Sequence, residues 1–318
     1  MIAMEKNMKY SNFSILLICV WTTFNSIKIY AEDEGYLVRE ITVAQDLLIY
    51  AAGGKEKFVK ELKQQASHGD SKAMLQLAYL YLKGDKIKQN TTIGFDYLTK
   101  AAQTHPIAQY SLGLLYEQGK FVKQDSTKAC QQFKKSADSK YTSAQYMLSF
   151  CYYHGKGGVL KDYKKAFELL SEASRYVTDK ELSMYGDKNT KGDVKIQERA
   201  LHLVAKYLSQ GIGTEKNVNG ALNYFHYLAD HLEFKESAHD LGNFYNDGRF
   251  GLTINPKLAF KYWKIAAEQG YARSQHNLGV AYYEGIGTNI NKVEAEKWFK
   301  AAANQGDPIA KETLENFF

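Results

Sequence analysis

The sequence predicts an all-α chain, an α-solenoid of about six helix-turn-helix units, and three observations carry that reading. Glycines recur at 84, 119, 155, 211, 248 and 285, spaced 35, 36, 56, 37 and 37 residues apart. Seven positions before each glycine stands an apolar residue, and three before it a large one. A short polar side chain able to cap a second helix follows each glycine: Asn90, Asp125, Asp162, Asn217, Asn255 and Asn291. A helix pair cannot bury its apolar faces alone, so a period of this length reads as stacked units sharing one elongated core.

The elements follow in chain order. Lys6 and Lys9 precede an apolar run over 13–24, and a polar stretch then leads to Ile29-Tyr30-Ala31. That order is the one of a secretory signal, residues 1–31, cut after Ala31. The apolar run is about 12 residues, short of the ~20 that span a bilayer. An uncleaved anchor is the alternative; a lipoprotein reading at Cys19 is weakened by Ile18 before it. Residues 32–68 hold a helical pattern without a complete repeat, with Phe58, Leu62 and Ala66 on it, and read as an N-terminal cap. Repeats one to three fill 69–177 and repeats four to six fill 196–306. The polar stretch 178–195 between them absorbs the long spacing and reads as a loop or hinge. Asp307-Pro308 opens a C-terminal capping helix over 307–318.

Within a unit, the apolar residue and the large one four positions on form the stripe of an amphipathic helix. A small residue follows the first of these in every copy, as at Gly113, Gly242 and Gly279, and admits a second helix at close range. The recurring glycine is a left-handed helix stop. Eight residues beyond each cap comes a bulky side chain: Leu98, Phe133, Leu170, Phe225, Trp263 and Phe299.

The run Leu278-Gly279, Tyr282, Gly285, Gly287, Asn291, Ala295, Trp298 and Ala301-Ala302 resembles the Sel-1-like repeat, a relative of the tetratricopeptide repeat. The resemblance covers about 69–306. The second glycine of the family's Gly-x-Gly is present only at Gly157, Gly213 and Gly287. What the resemblance implies is a scaffold or adaptor in protein complexes, often exported in bacteria. A cysteine-rich exported branch is linked to penicillin binding, but the paired cysteines of that branch are absent here.

Composition narrows the function classes. Of 318 residues 45% are hydrophobic and 24% charged, a globular balance. Forty-one Lys and Arg against 35 Asp and Glu give +6, without the dense basic stripe of a nucleic-acid binder. No His-Glu-x-x-His, Cys-x-x-Cys or Ser-x-x-Lys occurs. The Gly-x-Gly pairs follow helices and lack a third glycine, so a dinucleotide loop is disfavoured. No catalytic residue, cofactor or metal site is assigned. Loss of the signal leaves Cys130 and Cys151, which either pair, if their Cα atoms lie within about 7 Å, or stay as buried thiols. Asn90-Thr91-Thr92 is a glycosylation sequon better explained as a helix cap.

If packing follows the tetratricopeptide relative, the first helices line a concave groove. Its positions include Tyr79, Tyr110, Tyr146, Phe150 and Tyr153, an aromatic half, and His202, His239, Asn243, His276 and Tyr283, a polar half. Tyrosine gives large contact area with few rotors to freeze, so a protein or peptide docks through the aromatic half. The alternative is that several of these tyrosines are inter-repeat core. His202, His239 and His276, 37 residues apart, read as an exposed polar row in preference to metal ligands. The expected function is an exported, periplasmic or secreted, non-enzymatic interaction scaffold with no stable membrane insertion after cleavage and an open oligomeric state. The alternatives are a cell-wall or β-lactam-directed hydrolase, by family association, and an adaptor of a eukaryotic secretory pathway.

Overall fold

The computed structural model describes residues 44–84, 87–175 and 191–318. Among these residues the regular structure is fourteen α-helices and one short 3-10 turn, Arg249–Gly251, with no strand. The signal reading and most of the insertion lie outside the described residues.

The chain divides into two units. The first carries α1 (Ala44–Ser67), α2 (Ser71–Lys83), α3 (Thr91–Ala101), α4 (Pro106–Gln118) and α5 (Ser126–Asp138). The second begins with α6 (Thr142–His154), α7 (Tyr163–Ala173), α8 (Lys191–Gln210) and α9 (Val218–His231). It continues with α10 (Lys235–Asp247), α11 (Pro256–Glu268), α12 (Ala272–Glu284), α13 (Lys292–Asn304) and α14 (Pro308–Phe317). Helix α8 starts at Lys191, so the last residues of the stretch read as a loop are helical.

Each hairpin is closed by the same three devices. The six glycines that end the first helices hold φ between 64° at Gly155 and 77° at Gly285, a conformation open to glycine at little cost. The six capping side chains accept the N–H three residues on, at 2.8–3.1 Å. Asn90 is one of them, bonded to the Ile93 amide. The third device is not visible as a sequence pattern. The cap's own N–H donates to the carbonyl of the large residue three before the glycine, at 2.8–2.9 Å in all six copies, from Asn90 to Tyr81 through Asn291 to Tyr282.

The paired helices then meet on small residues. A Cβ added at Gly113 would lie 2.6 Å from the Phe133 ring, one at Gly279 2.8 Å from Phe299, and one at Gly242 2.3 Å from Trp263. The bulky residues of the second helices are all buried, from Leu98 to Phe299. Opposite them sit Leu77, Leu112, Leu148, Val204, Leu241 and Leu278, also buried.

The second glycine of Gly-x-Gly acts between repeats. A Cβ at Gly213 would fall 2.0 Å from the Tyr163 carbonyl oxygen, and one at Gly287 2.0 Å from that of Pro256. Each turn therefore rests its backbone on the first turn of the preceding repeat's second helix.

Helix α1 packs on the first hairpin and α14 on the last. Phe58, Leu62 and Ala66 of α1 pack with Ala73, Leu77 and Leu80 of α2. Ala310 of α14 packs with Ala295, Phe299 and Ala302, with Leu314 against them. Cys130 and Cys151 are buried and each is disulfide-bonded, so the buried-thiol reading does not hold.

Gly242→Ala is expected to lower stability by about 1–3 kcal/mol, the usual cost of overpacking a closed core, because the added Cβ would overlap the ring of the buried Trp263. Gly270→Ala meets open space and carries only backbone strain, about 1 kcal/mol. Urea unfolding of the two variants side by side checks the order.

Candidate interaction surface

The first helices place the aromatic residues in the interior. In the first unit Tyr79 and Tyr110 are 7% and 3% exposed. Lys83 Nζ donates to Tyr79 Oη at 2.8 Å, and the Tyr110 ring lies 6.0 Å from Phe133. In the second unit Tyr146 and Phe150 are buried, with rings 5.0 Å apart and nearly perpendicular. Burial pushes the Tyr146 hydroxyl above its ordinary range. Tyr153 is half-buried and touches the rings of His154, Tyr163 and Tyr207 at 4.9–5.5 Å. Four of the five aromatic positions thus offer little surface, which matches the inter-repeat core alternative. Tyr207, missed from the sequence, is buried beside Tyr153. Its only signal is a tyrosine three residues after Val204, inside the stripe.

None of the three histidines in the row is exposed: His202 and His239 are buried and His276 half-buried, which corrects the sequence reading. His202 is 9% exposed and His239 7%. Each bridges to the next repeat's first helix: His202 Nδ1 lies 2.8 Å from Ser237 Oγ, and His239 Nδ1 2.8 Å from Ser274 Oγ. The serines occupy the same place in consecutive repeats, where repeats one to four have Ala73, Ala108, Ala144 and Ala200. The third rung differs. His276 Nδ1 is buried without a hydrogen bond, with Asp307 Oδ1 3.9 Å away. Asp307 is committed to capping α14, accepting from the Ile309 and Ala310 amides at 3.0 and 2.9 Å.

Asn243 fixes the tautomer of His239. Its Oδ1 accepts from Trp263 Nε1 and from Asn277 Nδ2, both at 3.0 Å. Its amide nitrogen therefore faces His239 Nε2, 3.0 Å away. An amide NH2 only donates, so Nε2 accepts and the ring proton sits on Nδ1, donating to Ser274. Burial lowers His202 and His239 to about 4, with Asp240 opposing. Asp240 Oδ2 lies 3.6 Å from His202 Nε2. Burial pushes the Asp240 carboxyl up, but Lys206, followed by His202, His239 and Arg273, outweighs it and holds it below the carboxylate range.

Above this network lies a half-buried row of both charge signs. It includes Lys206, Asp240, Asn246, Arg273, Asn277 and Tyr283. The helices beneath are tied to one another by the His–Ser rungs and the Asn243 junction, so the row sits on a stiff base.

A second polar cluster was invisible in the sequence because its members come from three helices. His226 Nδ1 meets Asp230 Oδ2 at 3.1 Å, and His226 Nε2 meets Tyr245 Oη at 3.1 Å. Tyr262 Oη donates to Asp230 at 3.0 Å, and Lys261 Nζ at 3.3 Å. Both ring nitrogens and the carboxylate are engaged within the cluster, which clamps α9 to α10 and α11. No group of three or more His, Cys, Asp or Glu side chains able to hold a metal occurs among the described residues.

This geometry defines a repeat protein built of helical hairpins. The Sel1 repeat model matches residues 71–103, 106–141, 142–175, 198–231, 235–271 and 272–307, and the chain belongs to that family. It is 24% identical over 242 residues to chitin synthase regulatory factor 3 of Schizosaccharomyces pombe, covering 69% of this chain and 26% of that one. It is 27% identical over 198 residues to the mouse DAP3-binding cell death enhancer 1, covering 61% of this chain and 34% of that one. The chain thus spans about a third or less of these relatives. A crystal structure of a Sel1 repeat protein from Oxalobacter formigenes shares the fold, with TM-score 0.65 and 23% identity over 80% of this chain and 94% of that one.

The buried neutral histidines set a pH dependence. Their folded values near 4 lie below the ordinary 6.5, so the unfolded chain takes up protons first. Their contribution is intact above pH 6.5 and is lost as pH falls toward 4. Melting temperature should drop across that window, and H202Q/H239Q should flatten the drop, which differential scanning calorimetry at pH 7 and 4.5 reads directly.

Proposed function

We propose that this chain is a non-catalytic adaptor that docks a protein segment along the first-helix row of its second unit. The observation that carries the reading is the contrast between the two sets of groove positions. The aromatic ones are spent on packing, while Lys206, Asp240, Arg273 and Asn277 reach solvent from helices stiffened below. Polar side chains on a pre-ordered base lose little entropy on binding, which favours specific recognition of a segment with matching charges. The printed names of the relatives, a regulatory factor and a binding enhancer, support an adaptor in place of an enzyme. The hydroxyls that face histidine nitrogens, Ser237 and Ser274, are fully buried beneath the row, so neither is within reach of a substrate as a nucleophile.

Export belongs to the same proposal. It is supported by the signal-like order of residues 1–31 and by the disulfide-bonded state of Cys130 and Cys151, since disulfides persist in oxidising compartments.

Affinity capture from envelope and secreted fractions, followed by titration of the captured protein, tests the first part. K206E/R273E is expected to weaken binding at least about tenfold, as for charged contacts at an interface, while leaving the melting temperature within a few degrees. Unchanged affinity removes the row from the interface. N-terminal sequencing of the chain from its native host tests the second part, with Glu32 expected as the first residue.

A further inference from the structure

In the second unit, the turns that join first to second helices line up along one edge. The turn of repeat four lies on the Tyr163 backbone at the start of α7, and the turn of repeat six on that of Pro256 at the start of α11. Phe250 and Leu252, in the turn of repeat five, and Leu208, near the end of α8, pack against the same core cluster. The end of α14 reaches the same edge, with Phe317 and Phe318 against the Tyr283 ring at 5.8 Å.

Large apolar side chains project from this edge into solvent. Leu160 is 89% exposed, Val293 76%, Ile290 64%, Ile254 62% and Phe317 60%. Lysines stand beside them: Lys161 and Lys164 next to Leu160, Lys257 after Ile254, and Lys292 between Ile290 and Val293. All four lysines are exposed. None of them has a carboxylate at salt-bridge distance among the described residues. Two acidic groups of the edge are consumed locally. Asp162 caps α7 through the Lys165 amide, and Asp247 pairs with Arg249 at 2.6 Å. Glu215, Glu284 and, at the end of α14, Glu315 remain as its exposed acids. The opposite edge presents Glu233 in the turn after α9 and Glu268 in the turn after α11 instead.

Apolar tips alternating with ammonium groups match one kind of surface best. A protein partner would desolvate the lysines. At an anionic bilayer the apolar side chains enter the acyl boundary while the lysines stay hydrated among the phosphates. No helix among the described residues is long and apolar enough to cross a membrane, so contact of this kind is peripheral. We infer that the turn edge of the second unit docks onto anionic phospholipid, leaving the first-helix row open to a protein. The residues substituted to test it are different from those substituted to test the adaptor reading.

The test is co-sedimentation of the full chain with vesicles of phosphatidylcholine alone or with about a third phosphatidylglycerol, at low and high salt. Two variants are compared in the same full-length background, so any affinity of residues 13–24 is common to all. K161E/K164E/K257E and L160D/I254D/I290D should each weaken binding to the anionic vesicles at least about tenfold, with circular dichroism melts near that of the parent chain. Higher salt should weaken the parent too. Binding to anionic vesicles that neither variant changes, or no gain over neutral vesicles, overturns the inference. Loss with the lysine variant alone, the apolar variant binding as the parent does, shows charge attraction without insertion of the apolar tips and equally overturns the inference.

Discussion

A single backbone hydrogen bond, made six times, holds the architecture in register. The capping residue of each second helix donates its N–H to a carbonyl near the end of the first, at 2.8–2.9 Å. That bond sets where the second helix begins relative to the glycine stop. The start in turn sets which small residue the bulky side chain eight positions on will meet. Move the start by one residue and the side chain turns by 100° on its helix. Phe133 would then no longer face Gly113, nor Trp263 face Gly242. The aromatic seam, the stacking of neighbours and the row above it all inherit their geometry from this clasp.

The periodic parts of the fold were legible because they rest on local chemistry. Six glycines at positive φ and six Asn or Asp caps each depend on their own residue type, so spacing alone reveals them. The small residues at the seam were legible for the same reason. Burial along the first helices was not. Two neighbouring positions on a stripe differ in exposure according to the repeat beside them, which the sequence of one unit does not encode. Tyr110 and Tyr146 were therefore ambiguous between a binding face and a core, and they are buried. The histidines misled for a related reason. A regular polar row reads as solvated until its partner is known, and here the partners, Ser237 and Ser274, lie one repeat further on. A serine where earlier repeats have alanine was the available signal.

The repeats of the second unit are joined by polar contacts as well as apolar ones. His–Ser rungs, the Asn243 junction and the His226–Asp230–Tyr262 clamp each cross between repeats. Buried polar groups cost free energy unless every member is satisfied, and these are satisfied except at His276. A satisfied network tolerates little sliding between neighbours, because any shift breaks several bonds together. Apolar contacts alone would permit such sliding at small cost.

The second glycine of Gly-x-Gly has a consequence for how such a chain can grow. Gly213 and Gly287 are shaped by the helix of the repeat before them, at Tyr163 and Pro256, and not by their own hairpin. The heritable module is accordingly offset from the folding one: it runs from the middle of one hairpin to the middle of the next. Duplication or recombination with breakpoints within the second helices, beyond their first turn, would part each glycine from the backbone it accommodates. Breakpoints inside the turns, just after the second glycine, would carry both sides of the contact across intact.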